Sequence, residues 1–291
     1  MFLKTLVFAL AAVVATTVSA PVLNDKGLLQ LALTIENLEN AFFSGGLSRF
    51  SANDFEDAGY PSWVRGRFQQ IADIEATHAA YLRDALGNDA PHACTYDFGY
   101  EDVSSFINLA QKIESISAGA YLGAARHINS TSTLNIGATI AATESRQASW
   151  ITSTVLKDQP WDGAFETPIP PSPAYSLIQR YISACPDSNP ALPVVELPTL
   201  KLSDTTPKAG QKINLWFNSS APSPLYAAWI HGVNETYTNI TTGRTTVPHG
   251  LTGTAFVGVV SSRDHPDRDN FVSGWAIVNF PFDSKARLNT R

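Results

Sequence analysis

A glutamate and a histidine three residues apart, Glu75 and His78, are the side chains of this sequence best suited to bind a metal ion together. Residues 74–82, which carry them, are predicted to be helical, and residues three apart lie on one face of a helix. Carboxylate and imidazole ligands suit iron or manganese. A single Glu-x-x-His pair is common by chance, so its meaning depends on the rest of the chain.

Three more glutamates lie in predicted helices, at positions 36, 114 and 144, and give the order Glu, Glu-x-x-His, Glu, Glu-x-x-Gln. A four-helix bundle that holds a carboxylate-bridged pair of metal ions uses one Glu from two helices and Glu-x-x-His from the other two. The pattern therefore predicts one or two iron ions, in preference to manganese. The predicted ligands are Glu36, Glu75, His78, Glu114 and Glu144.

Gln147 stands where the second histidine of this pattern is expected. Its neutral amide is a poor substitute for imidazole, and three outcomes follow. The protein could hold an asymmetric metal pair with one weak position, a single ion on Glu36, Glu75, His78 and Glu114, or no metal in a bundle that has lost this chemistry.

Glu39 competes with Glu36 for the ligand position on the first helix. We favour Glu36, because Phe43 follows it by seven residues just as Tyr121 follows Glu114. This spacing also gives the bundle an internal two-fold character.

Apolar periodicity and capping residues predict the helices that must position these side chains. Small residues at 115–125 are expected to let a neighbouring helix approach closely. The predicted helices span about 24–44, ending at Gly45-Gly46, then 61–86, 101–128, 132–156 and a shorter 173–184.

The texture of the sequence changes near residue 186, where a proline cluster precedes short alternating runs typical of strands. We predict an α+β protein of two domains, a four-helix bundle followed by a small immunoglobulin-like β-sandwich. In the sandwich, Trp216, Trp229 and Trp275 are assigned to core packing rather than to sugar stacking. The predicted limits are 1–20 for a signal peptide, 21–186 for the bundle, 187–198 for a linker and 199–291 for the sandwich.

Several features indicate an exported protein, released or held in the cell wall. Residues 1–20 read as a secretory signal peptide, and the two cysteines, Cys94 and Cys185, are expected to pair in an oxidising compartment. The net charge of −6 without basic runs argues against nucleic acid as a partner, and no later stretch predicts a membrane span. Glycosylation acceptors are predicted at Asn129, Asn218, Asn234 and Asn239.

Residues 31–43, 59–61 with 67–68, and 117–125 resemble the ferritin-like domain of secreted fungal proteins. These are often labelled stress-response or late sexual development proteins and are distantly similar to plant desiccation-related proteins. The resemblance covers about residues 24–186 and implies a ferritin-like bundle with a di-iron site. The family pattern matches at each of the five predicted ligands and departs at Gln147.

Two functions are therefore expected of this chain. The first is iron binding and oxidation, or peroxide handling, in stress or development. The second is a non-enzymatic extracellular or cell-wall protein with a degenerate metal site, whose β domain contacts a wall glycan or another extracellular partner.

Overall fold

A computed structural model describes residues 23–263 and 270–287 of the chain. The predicted signal peptide lies outside these residues. None of the described helices is long and apolar enough to cross a membrane. The helices are α1 (Asp25–Arg49), α2 (Ala52–Asp57), α3 (Trp63–Leu86), α4 (Val103–Ala125), α5 (Thr131–Trp150) and α6 (Pro171–Ile178).

The four long helices form a bundle in which α1 packs mainly on α3 and α4 packs mainly on α5. Local sequence fixes their ends. The side chain of Asn24 accepts a hydrogen bond from the Gly27 amide at the start of α1, and Asp102 caps α4 in the same way through Ser105. Gly87, with φ of 54°, ends α3 where the sequence predicted.

The predicted end of the first helix at Gly45-Gly46 is wrong, because α1 continues through both glycines to Arg49. Gly46 is needed for packing. A Cβ atom at this position would lie 2.2 Å from Cε2 of Phe106, so only glycine lets the buried Phe106 ring of α4 approach the α1 backbone. The glycine pair therefore joins two helices.

Two of the small residues of α4 admit a different neighbour from the one predicted. A Cβ atom on Gly123 would lie 1.9 Å from the carbonyl oxygen of Ile169, and one on Gly119 would lie 2.6 Å from the Ile169 side chain. The Ile169 amide donates to the Gly119 carbonyl at 2.8 Å. At these two glycines α4 therefore admits an extended segment of chain, and not another helix.

Three smaller differences concern the other helices. The sequence did not predict the short helix α2, whose capping box is formed by Ser51 and Asp54. α5 ends at Trp150 and continues as one π-helical turn, Ile151–Val155. The last predicted helix is shorter than expected, because the chain after α6 turns into a strand.

The predicted disulfide between Cys94 and Cys185 is confirmed. It lies next to a two-stranded sheet of β1 (Thr95–Tyr96) and β2 (Ile182–Ala184). The bridge closes a loop with a sequence separation of 91. In the chain-entropy model a loop of that length stabilises the fold by about 4 kcal/mol.

The C-terminal part contains two antiparallel sheets, as the alternating runs predicted. The strands are β3 (Lys201–Leu202), β4 (Lys212–Trp216), β5 (Tyr226–His231), β6 (Asn234–Asn239), β7 (Arg244–Thr246), β8 (Gly253–Val260) and β9 (Ala276–Phe280). One sheet has the order β3-β4-β7 and the other has the order β6-β5-β8-β9.

The two sheets share an apolar core, to which Ile213 and Leu215 contribute from one sheet and Val257 from the other. The immunoglobulin-like topology stays a prediction. Trp229 and Trp275 are buried as expected, but the assignment of Trp216 to the core is wrong, since it is 54% exposed. Trp216 is the last residue of β4 and points away from the side on which Leu215 is buried.

The helical and β parts are packed against each other through one continuous core. Ile230, Phe256 and Trp275 of the sheet belong to the same apolar cluster as Leu177 and Ile178 of α6. The domain limits given above stay a prediction. The predicted linker, residues 187–198, packs against this core, and its Leu197 is buried in the same cluster.

Hydrogen bonds to Asp162 connect the loop after α5 to the four-stranded sheet. Its carboxylate accepts a hydrogen bond from the Thr254 amide at 2.6 Å, and its carbonyl accepts from Thr252 at 2.5 Å and from His231 at 3.0 Å. Burial raises the pKa of the Asp162 carboxyl to about 6, although the bonds from Thr254 lower it. The neighbouring Glu166 also has a raised pKa, because of burial and the charge of Asp162.

We expect the Asp162→Asn variant to be more stable than the parent protein at neutral pH, by about 3 kcal/mol. The native state of the parent holds a proton on Asp162 up to pH of about 6, whereas the ordinary value is 3.8. The parent therefore loses stability as the pH rises through this window, and asparagine removes that loss. Urea unfolding between pH 3 and 8 measures the difference, which should vanish at the acidic end of this range. A difference that is independent of pH would contradict this account.

Candidate metal centre

The four long helices bring five glutamates, one histidine and one glutamine into a single interior cluster. The exposed fraction of each glutamate is 0%, so none of the five faces solvent. His78 is partly buried, and Gln147 is 7% exposed. The five glutamates are Glu36 and Glu39 of α1, Glu75 of α3, Glu114 of α4 and Glu144 of α5.

The first group of donor atoms surrounds the Nδ1 atom of His78. This nitrogen lies 3.2 Å from Oε2 of Glu75, 3.1 Å from Oε1 of Glu144 and 3.5 Å from Oε2 of Glu36. A single ring nitrogen carries at most one proton and cannot satisfy three carboxylates. One atom from each of the four residues lies within 4.8 Å of the others, which is a spacing that suits a common metal ion.

The second group consists of Glu39, Glu114 and Glu144, whose oxygens also lie within 4.8 Å of one another. Glu144 belongs to both groups. A carboxylate shared in this way is placed to bridge two cations, as in the carboxylate-bridged centres of helical bundles.

The cluster is electrostatically costly without a cation. Burial raises the pKa values of Glu36, Glu39 and Glu114 well above the usual range for glutamate. In each case the charge of Glu144 raises the pKa further. Burial, followed by the charge of Glu75, raises the pKa of Glu144 to about 7.

The pKa of the His78 imidazole is shifted in the direction opposite to the one that burial favours. Burial by itself lowers the pKa of the imidazole, but hydrogen bonding to Glu144, Glu36 and Glu75 raises it to about 12. The ring therefore carries a positive charge whenever no other cation is present. This single charge is too little for five carboxylates.

Hydrogen bonds do not satisfy all of the buried carboxylate oxygens either. Within the described residues, each of the five glutamates has at least one buried oxygen without a hydrogen-bond donor, and Glu114 and Glu144 have two each. A buried carboxylate without a partner costs several kcal/mol. Carboxylate oxygens and one imidazole nitrogen are the ligands that iron and manganese accept in such bundles. The donor set therefore fits a pair of these ions.

Two hydroxyl groups hold the α1 carboxylates in place. The phenol of Tyr121 donates to Oε1 of Glu36 at 2.5 Å, and Ser117 donates to Oε2 of Glu39 at 3.0 Å. Burial and the charge of Glu36 raise the pKa of Tyr121, so the phenol keeps its proton. The sequence analysis used Tyr121 only as a spacing marker and did not assign Ser117 a role in the site.

Glu39 lies in the cluster together with Glu36, so the two are not alternatives. The spacing that identified Glu75 and His78 was also available here, because Glu36 and Glu39 are three apart and share one face of α1. Gln147 is also in place, and in the described structure neither its amide nitrogen nor its amide oxygen has a hydrogen-bond partner. Glu39 thus supplies the second group with an anionic donor that the Gln147 amide cannot provide.

Comparisons with known proteins agree with this geometry. A family model described as a ferritin-like domain matches residues 24–157. Protein rds1 of Schizosaccharomyces pombe is 30% identical over 261 residues. The match covers 73% of this chain and 64% of the length of that relative.

We expect Glu114→Gln to stabilise the metal-free protein and to abolish its stabilisation by metal. Glutamine keeps the shape of the side chain and removes a buried carboxyl whose two oxygens have no donor among the described residues. The gain should be about 1–2 kcal/mol, measured by urea unfolding at pH 7.5 with and without Mn²⁺.

The matched control is Glu101→Gln, an exposed glutamate just before α4. It should change neither quantity. A metal-free Glu114→Gln protein that is less stable than the parent, yet still stabilised by Mn²⁺, would contradict the assignment of Glu114 to the centre.

Proposed function

Because this chain belongs to a fungal ferritin-like family, we propose that it binds a pair of iron ions and carries out iron oxidation or peroxide handling outside the cell. Glu36, Glu75 and His78 would hold the first ion, and Glu39 and Glu114 would hold the second. Glu144, which belongs to both groups, would serve both positions. Iron bound there supplies oxidation and reduction chemistry toward oxygen or peroxide.

The observation that carries this proposal is the convergence of five fully buried carboxylates on one imidazole. Such an arrangement is costly in a protein that uses it only for structure, because apolar side chains of similar size would stabilise the bundle better. Cations bound in the cluster would offset the cost of burying these carboxylates.

The surrounding residues orient the ligands and keep water away. Tyr121 and Ser117 fix one oxygen each of Glu36 and Glu39, which leaves the other oxygen of each carboxylate free to face a cation. Along α1 the centre is flanked by fully or almost fully buried apolar residues, among them Ile35 and Leu38. Such a dry environment strengthens the interaction of the carboxylates with bound cations.

The position of Gln147 supports an asymmetric pair rather than a symmetric one. The first group has an imidazole donor, and the second has only carboxylates and a neutral amide. We therefore propose that the second ion binds more weakly and exchanges more readily. The alternative is a non-enzymatic extracellular protein, and it is favoured by the same substitution of Gln147 for the expected histidine.

The cellular setting is part of the proposal. The disulfide supports an oxidising compartment. The four predicted acceptor asparagines are all exposed, which leaves room for glycans. In this setting the exposed face of the β part is available to a wall glycan or another extracellular partner.

Metal analysis of His78→Ala tests the proposal. The protein is recovered from the culture medium of a fungal host, which also checks secretion, and is loaded with Fe²⁺ without oxygen. After gel filtration the parent protein should retain about two iron ions per chain, and His78→Ala at most the second. His92→Ala removes an exposed loop histidine and should behave like the parent. Parent protein without stoichiometric iron would favour the non-enzymatic alternative.

Glu39→Gln tests the second position separately. Removing the anionic donor should weaken binding of the second ion at least tenfold, or about 1.4 kcal/mol, and leave the first unchanged. Titration with Fe²⁺ under anaerobic conditions measures both affinities. Glu56→Gln alters an exposed residue of α2 and serves as the control. If Glu39→Gln keeps both affinities, Glu39 is not a ligand.

A further inference from the structure

A cavity of about 410 Å³ lies between α3 and α5, on the side of the metal centre where Gln147 stands. Its volume is in the range of small-molecule sites in proteins. The apolar side chains of Ile71, Ile74 and Trp150 line it, together with Arg67 and Arg146. None of the sequence patterns described above predicted a binding site here.

The inner side of the cavity carries a polar group that needs a partner. Gln147 is 7% exposed, and no described residue forms a hydrogen bond with its amide nitrogen or its amide oxygen. A buried amide without a partner costs about 1–3 kcal/mol. A ligand group that can both donate and accept a hydrogen bond, such as a hydroxyl, would satisfy it.

The outer side of the cavity carries positive charge. Arg67 and Arg146 are exposed, and neither forms an ion pair with a carboxylate among the described residues. Arg67 donates to the neighbouring Gln70 at 2.7 Å. Among the residues that the structure describes, no acidic side chain lines the cavity. Two guanidinium groups in this arrangement favour a carboxylate ligand.

The walls between these two ends are suited to a flat apolar body. Trp150 provides an aromatic surface from α5, and Ile71 and Ile74 provide aliphatic surfaces from α3. Phe68 and Trp63 pack edge-on against Trp150 at ring-centroid distances of 5.3 and 6.3 Å, and so restrict its orientation.

We propose that this cavity binds a hydroxylated aromatic carboxylate. The carboxylate pairs with Arg67 and Arg146, the ring lies between Trp150 and the two isoleucines, and the hydroxyl group meets the amide of Gln147. The hydroxyl end of the ligand then lies one helical turn from Glu144. In this respect the proposal deepens the proposed function and rests on it, but binding itself does not require metal.

Calorimetric titration of the metal-free protein with 4-hydroxycinnamate tests the proposal. We expect one ligand per chain. Arg67→Gln and Arg146→Gln should each weaken binding about tenfold, since each removes a charge-assisted hydrogen bond. Arg126→Gln alters an exposed residue at the C-terminal end of α4, which does not line the cavity, and this matched control should bind like the parent.

Two related compounds separate the contacts. The methyl ester of 4-hydroxycinnamate lacks the charge, and cinnamate lacks the hydroxyl group, so both should bind about tenfold more weakly than the parent compound. Equal binding of the ester, or unchanged binding in both arginine variants, would overturn the proposal. So would inorganic phosphate competing as well as the organic acid does. Because no metal is present, failure here is distinguishable from failure of iron binding.

Discussion

The burial of five carboxylates in one pocket is the constraint on which the rest of the helical part depends. Each of them is fully removed from solvent, and one histidine cannot neutralise them. The bundle must therefore be stable enough to hold the pocket in its metal-free form. Large apolar side chains supply that stability, including the fully buried Phe42, Phe43 and Phe106. Stacking and edge contacts among these rings, at 4.9 to 6.2 Å, fix them relative to one another.

Close contacts between chain segments also stabilise the helical part around the carboxylate pocket. Gly46 lets the ring of Phe106 reach α1, and Gly119 and Gly123 let the chain at Ile169 lie directly on α4. These contacts position α1 and α4, which carry three of the five glutamates. The disulfide and the core shared with the β part then hold the returning chain against the bundle.

Helices α1 and α5 each depart from the expected ligand pattern, and the two departures are chemically related. On α5 an amide stands where a histidine is expected, and on α1 an additional glutamate faces the same group of donors. The histidine missing from one helix is thus accompanied by an additional anionic donor on another. The same amide also lines the cavity between α3 and α5.

The sequence by itself determined the long helices, the strand-rich C-terminal part, the cysteine pairing and most of the residues that converge in the pocket. The helices and the side chains that share a helix face follow from local rules, because periodicity, capping and a three-residue spacing act over a few residues. Only the tertiary structure decided that Glu39 joins Glu36, that Tyr121 and Ser117 hold these carboxylates, and that Gly46 joins two helices. The same is true of the exposure of Trp216 and of the cavity next to Gln147. Each depends on residues from distant parts of the chain, and the distance between two packed helices cannot be read from the pattern of either one alone.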